Sequence, residues 1–389
     1  MTMSASATDA VGIFSAPSLE AYVAGRDFDR PTLVIDTGIV AQNYRALKAG
    51  LGNAHIHYAV KANPHPAVIS ALIAEGSGFD AASRGEIELC LGQGARPENI
   101  SFGNTIKKPR DIAFAYRAGI ARFAADAEEE LDKIAENAPG ARVYIRVIVE
   151  ASGADWPLTR KFGCSPERVE TLLDHAVSLG LHPEGLSFHV GSQTRFAAMW
   201  SDTLAQVARV WHAARDAGHD LTLLNIGGGF PAFYGEAVDG PTEYAADVMS
   251  RVRALFGDVP RVMAEPGRGM VADAGMIAAE VVLVSRKSDT DLHRWVYLDI
   301  GRFSGLAETE GEAIRYQIQT WRDGEETGPC ILAGPSCDSV DVLYEKRPVQ
   351  LPLGLRSGDR VLIRNCGAYT STYSSVGFNG FPPLNVMAI

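Results

Sequence analysis

Residues 55–83 read His55-Ile-His-Tyr-Ala-Val-Lys61, a helix-like stretch from Pro66 to Glu75, and Gly78-Phe-Asp-Ala-Ala-Ser83. Two short apolar runs flank a segment of helical period, which is the pattern of a strand–helix–strand unit, and parallel strands need such a crossover. The pattern continues outward from this unit. Further strand-like runs are Ile100–Gly103, Ala121–Ala125, Arg142–Val149, Gly185–Val190, Leu221–Ile226 and Arg261–Glu265. Helical stretches lie between them, such as Arg84–Gly94 and Pro166–Leu179. In the latter, Val169, Leu172, Leu173, Ala176 and Leu179 recur at three-to-four spacing. Eight alternating units imply an α/β fold whose parallel strands close into a (β/α)8 TIM-type barrel. An open doubly wound sheet is the alternative, and the count of eight favours the barrel.

The pattern changes near residue 275. Ile277–Ser285, Trp295–Leu298, Cys330–Ala333 and Arg360–Arg364 are β-rich runs separated by turn residues, as in Arg356–Asp359. They predict a C-terminal antiparallel β domain, to which the strand-like run Thr32–Ile35 can belong. The expected division is a barrel over 37–275 and a β-sandwich or β-barrel-like domain built from 1–36 and 276–389.

The 389 residues suit two domains with a sizeable core, and hydrophobic (46%) and charged (21%) fractions are ordinary for a soluble chain. A formal net charge of -11 gives no basic footprint for nucleic acid or an anionic membrane. Five scattered cysteines (Cys90, Cys164, Cys330, Cys337, Cys366) form no C-x-x-C pair. This argues against a disulfide framework or a metal site and points to a reducing cytoplasm. Met1–Ala16 lacks the pattern of a secretory signal and no apolar run is long enough to span a membrane. These first residues are expected to be loosely ordered.

In a barrel enzyme the reacting groups sit at the C-terminal ends of the strands. Polar residues fall there in succession: Lys61, Asp80 with Ser83, Asn104, Arg146, His189 with Ser192, Gly227–Gly229, and Glu265 with Arg268. Lys61 can form a Schiff base with an aldehyde if burial lowers its pKa, or it can be a snorkelling surface lysine. Three consecutive glycines in Asn225-Ile-Gly-Gly-Gly-Phe-Pro let backbone N–H groups approach an anion, or they form a flexible turn. Arg268 can supply matching charge for a phosphate. Glu265 can face a pyridine nitrogen, or cap or pair elsewhere. His189 can stack on a ring or sit hydrogen-bonded in the core. In Gly334-Pro-Ser-Cys-Asp-Ser, Cys337 can donate a proton to carbon and Asp338 can hold a cationic tail, and the alternative is an inert cysteine in a turn.

Together, Tyr58-Ala-Val-Lys-Ala-Asn-Pro, Gly78-Phe-Asp-Ala-Ala-Ser, Phe188-His-Val-Gly-Ser-Gln, Gly227-Gly-Gly-Phe-Pro, Glu265-Pro-Gly-Arg, Gly334-Pro-Ser-Cys-Asp-Ser, Gly367-Ala-Tyr-Thr and Phe378-Asn-Gly-Phe occur in one order. In that order the chain resembles the barrel-fold pyridoxal 5'-phosphate (PLP) dependent basic amino acid decarboxylases, specifically bacterial ornithine decarboxylases and their lysine/ornithine relatives. The resemblance runs from about residue 30 to the end. It implies decarboxylation of L-ornithine to putrescine, with Lys61 holding PLP, Glu265 bonding its ring nitrogen and His189 stacking on the ring. It places Ser192, Gly228, Gly229, Arg268 and Tyr369 at the phosphate, Gly267 among the cofactor-binding residues, and Asp80 and Arg146 beside Lys61. It also implies a homodimer with shared active sites. Cys337 would then protonate Cα and Asp338 would meet the distal amine in the partner's site, with Lys161 and Asp341 pairing across the interface. Where eukaryotic ornithine decarboxylases carry a Tyr-Asp pair, this chain has Gly301-Arg-Phe-Ser-Gly-Leu-Ala-Glu-Thr-Glu-Gly-Glu. There Glu308 or Glu312 would contact the distal amine.

Dual lysine/ornithine activity is an alternative, because one methylene discriminates by only about 1–3 kcal/mol. Diaminopimelate decarboxylases resemble a Cys-Glu-Ser pattern where this chain has Cys337-Asp338-Ser339. Carboxynorspermidine decarboxylases are more distant, and a racemase of this fold would place an arginine near the ring nitrogen instead of Glu265. An inactive regulatory homologue would be expected to lose Lys61, Glu265 or Cys337.

Overall fold

A computed structural model describes residues 18–149 and 161–389. The expectation for Met1–Ala16 lies outside them. Strand β1 (Thr32–Ile35) leads into a helix over Thr37–Leu51, capped by the Asp36 carboxylate, which accepts from the N–H groups of Gly38 and Ile39. Eight parallel strands then close a barrel: β2 (His55–Ala59), β3 (Gly78–Ala81), β4 (Ile100–Phe102), β5 (Arg122–Ala125), β6 (Arg142–Arg146), β7 (His182–Ser187), β8 (Leu223–Asn225) and β9 (Arg261–Ala264). Closure is made where β2 pairs with β9, His55 opposite Met263. Each of the eight expected strands is present. The sequence overextended several at their C-terminal ends, where the chain has already left the ladder to carry polar groups.

The helices between the strands bury one stripe each. The helix over Val169–Ser178 buries Val169, Leu172, Leu173 and Ala176, the spacing read from sequence. The floor of the barrel holds polar groups in satisfied pairs: Arg122 with Glu184, and His57 Nδ1 with Ser101 Oγ at 3.2 Å. Burial, aided by Arg122, pushes the His57 pKa down to about 3, so this imidazole is neutral.

The C-terminal part is a second sheet of β1 with β10 (Gly275–Ser285), β11 (Arg294–Leu298), β12 (Ile318–Thr320), β13 (Thr327–Ala333), β14 (Val349–Pro352), β15 (Arg360–Arg364) and β16 (Asn385–Ala388). It is mixed, not antiparallel as expected. β11 runs parallel to β13 and β1 parallel to β16, because long connections carry the chain back before it pairs. The run Thr32–Ile35 does join this sheet, with Leu33 opposite Ile277.

The barrel and the second sheet share one core, and two backbone contacts fix the sheet to the barrel mouth. Gly367 packs so closely on the turn after β9 that a Cβ there would lie 1.7 Å from the Val271 carbonyl oxygen. Two residues on, the Tyr369 N–H donates to Ala62 O at 2.9 Å. This is the physical reason for the Gly367-Ala-Tyr sequence: only glycine allows the approach that delivers Tyr369 beside Lys61. No helix among the described residues is long and apolar enough to cross a membrane.

Candidate active site

The C-terminal strand ends enclose a cavity of about 340 Å3. All eleven residues expected around the cofactor line it: Lys61, Asp80, Arg146, His189, Ser192, Gly228, Gly229, Glu265, Gly267, Arg268 and Tyr369.

Lys61 lies in a single 3-10 turn directly after β2. The turn is pinned by Tyr58, whose hydroxyl donates to Asn63 O at 3.0 Å, and by the Tyr369 N–H on Ala62 O. Lys61 is exposed to solvent on the cavity wall. Burial alone lowers its pKa, but Asp80, then Tyr369 and Glu265, outweigh it, and the net shift is upward. Burial was expected to lower this pKa; the groups around the amine, Asp80 first, shift it upward instead. Asp80 is 6% exposed and its Oδ1 has no hydrogen-bond partner. Gly103 makes room for it, since a Cβ there would fall 1.8 Å from Oδ1. Burial raises the Asp80 pKa, opposed by Lys61 and Arg146.

Glu265 is aimed by the glycine turn after β8. Its N–H donates to Gly227 O at 2.7 Å, and Asn225 Nδ2 donates to its carboxylate while Asn225 Oδ1 accepts the Gly227 N–H at 2.9 Å. Burial, with Asp80 adding, pushes Glu265 up to about 8. A carboxyl so placed is stabilised in its charged form by a cation or N–H donor facing it.

His189 accepts the Gly191 N–H on Nδ1 at 3.0 Å. Burial, then Arg146 and Lys61, hold its pKa well below the usual value, so a neutral ring faces the cavity. Opposite it, a Cβ on Gly228 would lie 2.8 Å from Glu265 O and 3.2 Å from His189 Nε2. Gly229 has φ +104, and a Cβ there would meet Gly191 O at 2.7 Å. Beside these glycines Arg268 is 3% exposed. Its Nη atoms donate to Tyr234, Ser192 and Glu308, and its Nε–H has no acceptor.

These residues fit PLP. An amine stands ready for the aldehyde, a buried carboxyl for the pyridine nitrogen, and a flat neutral imidazole for the ring face. The glycine-lined cradle and the buried Nε–H without an acceptor suit a phosphate.

The substrate residues divide differently. Glu308 lines the cavity, but its two oxygens accept from Arg268 at 2.6 and 2.8 Å. Glu312 does not line the cavity, which corrects its expected contact with the amine. It lies in a neighbouring cleft, where it accepts the Lys346 N–H at 2.6 Å and pairs with Arg315 at 2.7 Å and Arg347 at 3.3 Å. These donors, beginning with the Arg347 and Lys346 amides, overcome burial and hold its carboxyl below the usual range. Cys337 is exposed and Asp338 accepts the Val340 N–H at 3.0 Å, and neither lines the cavity of its own protomer. Asp341, expected to pair with Lys161 across an interface, is 3% exposed and accepts from Ser336 Oγ at 2.6 Å and the Arg302 N–H at 2.8 Å. Its carboxylate is engaged inside the protomer, while Lys161 Nζ sits 4.9 Å over the Phe162 ring. Ser83 caps the helix over Arg84–Gly92, and Asn104 Nδ2 donates to Ala82 O, so both shape loops.

Sequence reasoning missed Phe162, Phe230 and Tyr373 on the cavity wall. The signal for Tyr373 was its position four residues after Tyr369 in one short segment. Phe162 follows no strand-end pattern, and its ring lies 5.1 Å from the Arg146 guanidinium. Among the described residues no group of three or more His, Cys, Asp or Glu is arranged to hold a metal.

Residues 37–272 match the family model for the pyridoxal binding domain of pyridoxal-dependent decarboxylases. The chain is 33% identical over 369 residues to a lysine/ornithine decarboxylase of Selenomonas ruminantium, covering 95% of this chain and 92% of the relative. Its fold is similar to that of the lysine/ornithine decarboxylase of Vibrio vulnificus solved with cadaverine, at TM-score 0.85 and 33% identity over 96% of this chain and all of that one. It is also similar to the arginine decarboxylase of Paramecium bursaria Chlorella virus bound to agmatine, at TM-score 0.86 and 28% identity over 95% of this chain and all of that one.

Proposed function

Because the chain belongs to the pyridoxal-dependent decarboxylase family, we propose that it removes the carboxylate of L-ornithine to give putrescine and CO2. The observation that carries this reading is the meeting of Lys61, Asp80, His189 and Glu265 in one cavity with the glycine and Arg268 cradle. When bound, PLP supplies a protonated ring that takes up the electron pair released as the Cα–carboxylate bond breaks. Lys61 holds the cofactor's aldehyde end, with Asp80 fixing the charge of the amine. Glu265 keeps the ring nitrogen protonated, and neutral His189 covers the ring face without adding charge. Arg146 lines the wall near Lys61. Ser192, Gly228, Gly229, Gly267, Arg268 and Tyr369 hold the phosphate.

One proton must be added to Cα for each carboxylate lost. Among the described residues of one protomer, no cysteine lines the cavity. We assign that proton to Cys337 of a second copy of the chain, in a homodimer whose sites are shared, and the distal ammonium to that copy's Asp338. The exposed position of Cys337, held by its N–H on Asn379 Oδ1 at 2.9 Å, supports a role outside its own barrel. The names of the relatives support a basic substrate, and lysine is the second reading.

The test is a competition. Purified protein with PLP is given equimolar L-ornithine and L-lysine, then meso-diaminopimelate and L-arginine separately, and the products are identified by mass. Predominant putrescine supports ornithine. Equal putrescine and cadaverine make the enzyme dual. Lysine formed from diaminopimelate contradicts the assignment of Asp338 to a distal ammonium.

A further inference from the structure

We propose that Glu308 is a positioning residue for the cofactor's phosphate and not a receptor for the substrate's distal amine. Its position on the cavity wall invites the second role, and its bonding supports the first. Arg268 Nη2 reaches one Glu308 oxygen at 2.6 Å and Nη1 reaches the other at 2.8 Å, a two-point clamp that fixes the plane of the guanidinium. Both side chains are almost fully buried, at 3% and 6% exposure. Withdrawing Glu308 to meet a substrate ammonium would leave a buried guanidinium without its counter-charge, which is strongly unfavourable.

The remaining contacts of Arg268 complete the frame. Nη1 donates to the Tyr234 hydroxyl at 3.0 Å and Nη2 to Ser192 Oγ at 3.1 Å. The guanidinium carbon stands 4.9 Å from the Tyr369 ring centre and 5.7 Å from that of Tyr234. Every Nη position therefore has a partner, and Nε alone has none. A buried N–H without an acceptor is costly unless a ligand supplies one. The acceptor chemistry missing beside Gly228, Gly229 and Ser192 is that of a phosphate oxygen. Glu308 thus sets which edge of Arg268 is presented to the phosphate.

Among the described residues three carboxylates line the cavity: Asp80, Glu265 and Glu308. Asp80 serves Lys61, Glu265 serves the ring nitrogen, and Glu308 serves Arg268. Among the described residues lining this cavity, no carboxylate is left for a distal ammonium, which agrees with that contact falling to another chain.

The test measures cofactor binding by the cofactor-free protein, using PLP and pyridoxal, which has the same aldehyde without the phosphate. Glu308→Gln should weaken PLP binding by about tenfold or more, the scale of one charge-assisted contact. It should leave pyridoxal binding unchanged. Glu308→Asp, which keeps the charge, should recover most of the loss. Tyr234→Phe should give a smaller loss, also confined to PLP, and serves if the glutamine variant does not fold. On an Arg268→Gln background, Glu308→Gln should add little. The proposal is overturned if PLP and pyridoxal are weakened equally, if the two substitutions add in full, or if PLP binding is unchanged while KM for the amino acid rises at saturating PLP.

Discussion

Glu265 offers a prediction whose sign and size follow from its surroundings. It is a buried carboxyl beside Asp80, with a pKa pushed from 4.5 to about 8 in the chain without cofactor. Between those values the folded protein keeps the proton and the unfolded chain has released it. The folded state therefore binds more protons, and stability falls as pH rises through this window. The contribution is fully present below the unfolded pKa and is lost as pH approaches 8. One such group removes up to about 1.4 kcal/mol per pH unit, so from about pH 5.5 to about pH 7.5 the loss reaches up to about 2.7 kcal/mol. Glu265→Gln keeps the shape and one acceptor for Asn225 while removing the titration. Urea unfolding of the cofactor-free wild type and variant, at matched salt across this range, isolates the effect as a difference of slopes. Contributions from His57 and Asp299 cancel in that difference. The variant should lose less stability with rising pH, and the gap should shrink when PLP is bound, because a ring N–H then faces the carboxylate. Parallel slopes would refute the argument.

Other outcomes follow from the same geometry. Gly229→Ala would place a Cβ 2.7 Å from Gly191 O at φ +104, so PLP affinity should fall by about fivefold or more, as overpacking at about 1–3 kcal/mol implies, measured by titration of the cofactor-free protein. Glu312→Gln should leave KM for the basic amino acid unchanged, because its carboxylate serves Lys346, Arg315 and Arg347 outside the cavity. If sites are shared, mixing two inactive variants, Lys61→Ala and Cys337→Ser, should restore about a quarter of wild-type activity through hybrid dimers with one intact site. No recovery after exchange of subunits would contradict sharing.

The barrel was legible because burial on both faces makes each parallel strand a short apolar run, and each run is followed by an amphipathic helix. Ten of the eleven cavity residues were legible for a related reason: the closed barrel brings every strand end to one mouth, whereas Tyr369, after β15, was read from the Gly367-Ala-Tyr sequence. What the sequence hid depends on long-range packing. The mixed order of the second sheet arises because β16 returns to β1 across most of the chain, and no local pattern announces such a pairing. Glu308 and Glu312 lie four residues apart in one loop and share a residue type, yet a kink at Glu310 and Gly311 sends them to different cavities. The upward direction of the Lys61 shift was not legible, because the proximity of Asp80 depends on the pairing of β2 with β3. Tyr373 and Phe162 reach the cavity from loops, where neither period nor strand-end position applies.

We infer that this cavity decarboxylates a basic amino acid through Lys61. The most direct measurement is release of labelled CO2 from carboxyl-labelled L-ornithine and L-lysine by the PLP-loaded protein, beside Lys61→Ala under the same conditions. CO2 released with an equal amount of diamine by the wild type, and loss of both in the variant, is the predicted result. No CO2 from either amino acid, or equal release by the Lys61→Ala variant, would contradict it.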